Sequence, residues 1–214
     1  MSENKIERRN ALIRAGAQGD EMALVGRAVG YNDVSSTEIF PGLRERVLPG
    51  AFAASLRSGQ DVKATVGHDD KGLPLGRLKN GTLKLTDTDS GLDFRVQLDP
   101  NISSHRDAWQ AVKSGLISQC SFAFRCDDEF FSEGFARDGS PCQIRNIRSA
   151  TLFDVAVVQN PFYGDAGGGE PTNVDARSAA RKRNELLAKV QAMPATWAQQ
   201  ERAARLGLQI AKEK

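Results

Sequence analysis

Residues 91–98 read Gly-Leu-Asp-Phe-Arg-Val-Gln-Leu, a strict alternation that sends Leu92, Phe94, Val96 and Leu98 one way and Asp93, Arg95 and Gln97 the other. A period of two fits an extended strand with one buried and one wet face. The same pattern recurs upstream in DVKATVGH and NGTLKLTDT, with Gly, Asn, Asp and Pro as punctuation, so three consecutive antiparallel strands are expected. EMALVGRAVGYN reads as a further strand with Leu24, Val25, Ala28 and Val29 in its apolar stretch and Asn32 and Asp33 at its turn. CQIRNIRSA and TLFDVAVVQNP add two more, and the near-continuous apolar character of the second marks it as central. Two helices interrupt the strands. LPGAFAASLRSG has Pro49 in a first turn, Phe52 and Leu56 on one face and Gly59 just past the end, and SSHRDAWQAVKSG has Ala108, Trp109 and Val112 on one side and Gly115 as its stop. The fold class is therefore mainly β with surrounding helices, an α+β arrangement.

Residues 1–20 are charged without a clean apolar period and read as a flexible N-terminal arm, leaving residues 21–164 as the compact domain. Within it, residues 127–140 read as an irregular charged excursion. The Gly-rich stretch 165–174 is a linker by composition, and residues 175–214 have the propensity of a charged helical tail broken at Pro194. No repeat or sustained heptad is present.

Chemical composition narrows the function. Lys+Arg 29 against Asp+Glu 27 provides no broad basic field, so nucleic acid is not an expected partner. Three cysteines without a repeated spacing fit neither a disulfide framework nor a zinc site, and two histidines leave common zinc chemistry without ligands. No metal or other cofactor is expected. The charged N-terminus offers no apolar stretch for export or membrane insertion, so a cytosolic protein without a membrane partner is expected.

Three side chains stand out against this background. His68 ends a strand-like run and precedes two carboxylates and a flexible turn; a neutral imidazole there can take a proton from a hydroxyl and return it to a leaving amine, and an exposed surface histidine is the competing reading. Ser121 lies between Phe122 and Cys120 in SGLISQCSFAFR, on the face opposite Phe122 and Phe124, where a rigid strand could present its hydroxyl to a base. A hydrogen-bonded strand serine is the alternative. Cys120 is a second thinkable nucleophile, but its face makes it more simply a small buried apolar residue. Asp154 is a carboxylate inside a strand that should be buried, which requires either an imidazole to orient or an ion pair with Arg145 or Arg148. The other histidine, His105, opens a helix and has no such setting.

Taken in order, PGAF, GHDD followed by LGR, SGLISQCSFAF and LFDVAVVQNPFY resemble the tailed-phage prohead serine proteases, relatives of the herpesvirus assemblins, from about Leu24 to Gly164. Order and spacing carry the resemblance more than any single piece. It implies an assemblin-like antiparallel β-barrel core surrounded by helices and endopeptidase activity in capsid maturation. His68 matches the family's base, Ser121 its nucleophile and Asp154 the third position, where glutamate is frequent. Gly67, Ala123 (where glycine is common) and Ala156 (where serine is common) depart from the pattern beside the site, and bear on packing or specificity.

The resemblance also implies partners: the major capsid protein or an internal scaffold as substrate, the chain itself by autocleavage, and self-association of the kind assemblins use. It places the chain in host cytoplasm within the assembling procapsid. A catalytically inactive capsid-assembly or scaffolding protein with the same fold is the alternative, because fold alone does not ensure activity.

Overall fold

The structure, a computed structural model, describes residues 6–14, 16–17, 21–36, 38–136 and 138–159. Alternating apolar positions and turn residues build strands β1 (Glu7–Arg14), β2 (Gly16–Ala17), β3 (Ala23–Gly30) and β4 (Leu43–Val47). After helix α1 (Ala53–Arg57) come β5 (Lys63–Val66), β6 (Gly76–Arg77), β7 (Leu83–Thr88) and β8 (Gly91–Gln97). Helix α2 (Ser103–Lys113) then leads to β9 (Gln119–Phe135) and β10 (Pro141–Val158). The described residues are mainly β, and their pairings form two sheets, neither of which closes on itself.

One sheet has the order β2-β3-β8-β7 with antiparallel neighbours throughout. In β8 the alternation does what its period requires: Leu92, Phe94 and Val96 are buried, while Asp93 holds Arg27 across the wet face at 2.6 Å. A shift of register between Arg27 and Val29 lets two consecutive residues, Ala28 and Val29, both reach the core.

The second sheet has the order β1-β9-β10-β5-β6, with β4 also pairing β10. Here three expectations are corrected. The strands of DVKATVGH, NGTLKLTDT and SGLDFRVQLDP do not stay together: β7 pairs β8, whereas β5 lies parallel to β10, with Ala64 opposite Val155. The last residues of β10, Val155–Val158, are all buried, and a strand buried this thoroughly takes neighbours on both edges. The intervening chain supplies the crossover that parallel pairing needs. Residues 127–135 are not irregular but continue β9; their charges hide the period because Asp127 and Asp128 pair with Arg125 at 2.9 Å and Arg148 at 2.8 Å. Glu7–Arg14, expected as part of an arm, is strand β1, antiparallel to β9. The linker 165–174 and the tail 175–214 lie outside the described residues.

The described chain divides into two compact units. The first, made of residues up to Asp33, Val47–Glu129 and the chain from Ile147, contains the main core. Phe52, just before α1, stands edge-on to Phe122 and Phe124 of β9, with centroids at 5.9 Å and 6.5 Å. Phe122 and Phe124 stack on each other at 5.2 Å. α1 is also tied to β10: the Leu152 N–H donates to Ser55 Oγ at 2.9 Å.

The second unit contains Val34–Arg46 and Phe130–Asn146. Its small apolar cluster of Ala136, Cys142 and Ile144 is accompanied by a buried ion pair, Arg145 to Glu45 at 2.8 Å. Arg145→Met is expected to lower stability by about 3–5 kcal/mol, because the buried Glu45 side chain loses this ion pair, and replacing both residues by methionine should recover most of the loss. Urea unfolding of the single and double variants measures this, and equal midpoints for wild type and Arg145→Met would refute it.

Candidate active site

The aromatic trio fixes the core face of β9, so the next residue in the pleat, Ser121, projects from the other face. Its neighbours Phe122 and Phe124 are locked by stacking, which gives the hydroxyl a rigid mount. Ser121 is fully buried.

The imidazole of His68 is delivered by a tight turn after β5. Gly67 and His68 both have positive φ, 61° and 60°, and the Asp69 N–H donates to the Val66 carbonyl at 3.1 Å. Two consecutive left-handed residues define this kind of turn, for which glycine is well suited and histidine is strained. A non-glycine residue held there costs on the order of 1–3 kcal/mol, and such strain is typical of sites where geometry has been set by the surroundings. The turn is fastened from both sides. The Gly67 N–H donates to the Val157 carbonyl of β10 at 2.9 Å, and Asp69 Oδ1 accepts from the Lys71 and Gly72 N–H groups at 2.9 Å and 3.1 Å. A Cβ at Gly72 would meet Asp69 Oδ2 at 2.7 Å, so a side chain there would push this exposed carboxylate aside.

β10 carries the third group. Parallel register with β5 sets Asp154 opposite Lys63, three positions before the Val157 carbonyl that holds the histidine turn. His68 Nδ1 lies 2.6 Å from Asp154 Oδ1, and His68 Nε2 lies 2.5 Å from Ser121 Oγ. A carboxylate can only accept, so Nδ1 carries its hydrogen, and in the neutral ring Nε2 is left to accept the serine proton. The arrangement can therefore generate a serine nucleophile while the carboxylate holds the ring and stabilises the imidazolium formed on proton transfer.

The structure thus brings Ser121, His68 and Asp154 together in one hydrogen-bonded row. It also settles the alternative partners of Asp154. Arg145 is bound to Glu45 and Arg148 to Asp128, so neither takes the Asp154 carboxylate. Cys120 faces the core, where burial pushes its thiol up to about 12, far from the thiolate that a cysteine nucleophile needs. His105 is structural: its Nδ1 accepts from the Asp99 N–H at 3.0 Å and its Nε2 donates to the Pro74 carbonyl at 3.2 Å, pinning the far end of the histidine loop. One participant was not foreseen. Arg9 of β1 places its carbonyl oxygen 3.0 Å from Ser121 Oγ; the arginines of IERRNALIR are the only sequence signal, since charged residues mark edge strands.

The family model described as caudovirus prohead serine protease matches residues 8–179. The chain belongs to this family. Members are serine peptidases of phage capsid maturation, so the prohead protease family gives the chain a protease role in that process and a site of action inside the assembling procapsid. No curated protein and no solved structure gives a significant match. The match extends upstream to residue 8, and so takes in most of β1 together with the row of three side chains. Among the described residues, no helix of this prohead protease family member is long and apolar enough to cross a membrane.

Proposed function

We propose that the chain is a serine endopeptidase that acts by acyl transfer, with Ser121 as nucleophile, His68 as general base and Asp154 as the group that orients it. The observation that carries this reading is the continuous hydrogen-bonded order Asp154, His68, Ser121. His68 Nε2 takes the hydroxyl proton as Ser121 Oγ forms a bond to the peptide carbonyl carbon. The same proton then passes to the leaving amine as the C–N bond breaks, and water, activated by His68, releases the acyl group and restores the serine.

The substrates in this reading are an internal scaffold or the scaffolding segment of the major capsid protein, and the chain itself. Confinement within a procapsid raises local substrate concentration, so cleavage does not depend on tight recognition. The arrangement of two sheets around a core lined by Phe52, Phe122 and Phe124 is read as assemblin-like, with residues 21–164 as the peptidase domain joined by β1, and residues 165–174 as a linker to the tail. Co-expression with the capsid protein, followed by intact-mass measurement of both chains, is expected to yield a truncated capsid protein. Full-length masses for every chain within assembled shells would instead favour the scaffold reading.

A further inference from the structure

Acyl transfer requires the serine oxygen to approach within roughly 3–3.5 Å of a substrate carbonyl carbon, yet Ser121 is fully buried. The position beside its hydroxyl is already taken by the chain itself. The Arg9 carbonyl oxygen lies 3.0 Å from Ser121 Oγ, and β1 runs antiparallel to β9 with Glu7 opposite Phe124, Asn10 opposite Ser121 and Ala11 opposite Cys120. A side chain fastens the strand as well: the Arg9 guanidinium, held by Glu7 of the same strand at 2.6 Å, sits 5.5 Å from the centre of the Phe124 ring of β9. β1 is the edge strand of its sheet, and among the described residues its one strand pairing is with β9, although it also lies against β3. The ladder is already irregular between Ala11 and Arg14.

The occupant also changes the chemistry. A hydroxyl has one proton, and here two acceptors compete for it: His68 Nε2 at 2.5 Å and the Arg9 carbonyl at 3.0 Å. A proton donated to the carbonyl is not available to the base.

We propose that β1 is an intramolecular plug, in which the chain's own N-terminal strand lies along β9 in the manner of an extended peptide, covering Ser121 and diverting its proton until the strand is displaced. This rests on the serine-peptidase reading and adds regulation to it. An entering substrate would then exchange one strand pairing for another, as in recognition by strand addition.

Labelling with a fluorophosphonate tests the plug without any substrate: Ser121 Oγ bonds to phosphorus, fluoride leaves and the hydroxyl proton passes to His68. The full chain and a chain lacking residues 1–14 are compared by intact mass over time. The shortened chain is expected to label at least about tenfold faster, the factor by which a site closed roughly nine-tenths of the time is slowed, and a synthetic peptide of residues 6–14 should slow it again. Because deletion could impair folding, a clamp provides the second arm. Ala11→Cys stands opposite Cys120 in the register, and oxidised glutathione, itself reduced to the thiol as the two cysteines lose two electrons and two protons, would tie β1 down. Oxidation should suppress labelling and dithiothreitol should restore it. Equal labelling of full and shortened chains, a folded but unreactive shortened chain, or undiminished labelling of the clamped protein overturns the plug while leaving the peptidase reading intact. If Ser121 labels in none of the proteins, the nucleophile assignment falls and the plug with it.

Discussion

Replacing Ser121 by alanine is expected to reduce peptide hydrolysis by roughly 10^4- to 10^6-fold, because the variant keeps the binding surface and loses the atom that forms the acyl-enzyme. The fold should tolerate the change. Ser121 sits on a strand held by Phe52, Phe122 and Phe124, whose contacts on the core face do not involve the hydroxyl. Losing its hydrogen bonds costs stability on the order of 1 kcal/mol. The expected result is therefore a folded protein with unaltered capsid association and no processed chains. Hydrolysis rates with the capsid protein as substrate, alongside thermal unfolding, separate the two effects. Persistence of wild-type hydrolysis in Ser121→Ala would disprove the nucleophile assignment.

Asp154→Asn is expected to reduce hydrolysis by about 10^4-fold with little change in structure, since the replacement has nearly the same shape but reverses the hydrogen-bond logic. Asp154 accepts from His68 Nδ1 at 2.6 Å and is the described group that fixes the ring from that side. An amide can present N–H to Nδ1 instead, which moves the imidazole hydrogen to Nε2, the atom that must be free to accept from Ser121 at 2.5 Å. Nitrogen-15 NMR of the His68 ring gives a readout that a merely structural role would not produce: the tautomer should change in the variant while its unfolding midpoint stays close to wild type. A variant with the wild-type tautomer and near wild-type hydrolysis would remove Asp154 from the mechanism.

The wet and buried faces of β8 were legible in the sequence because alternation is a property of neighbouring side chains and needs no knowledge of partners. The same holds for the short helix after Pro49, the Gly59 and Gly115 stops, and the strand character around Ser121. Sheet membership was not legible. β5 and β7 have similar local patterns, and only the need of β10 for a second neighbour sends β5 into a different sheet. The charges of residues 127–135 concealed a strand because a partner such as Arg148 for Asp128 lies 20 residues away in sequence.

The candidate site divides along the same line. Motif order in the sequence singled out His68, Ser121 and Asp154 as residue types able to do proton transfer and nucleophilic attack, but it left Asp154 open to Arg145 or Arg148. Tertiary structure decided that choice by bringing together side chains 53 and 86 residues apart. It also decided that β1, whose charged sequence looks like a solvated arm, lies against β9 with its Arg9 carbonyl at the Ser121 hydroxyl. Local sequence by itself determined which segments extend, where they turn and which face is apolar, because those preferences act between adjacent residues. Strand partners and the convergence of the Ser121, His68 and Asp154 side chains depend on non-local burial and backbone pairing, whose free energy exists only once the chain has closed upon itself.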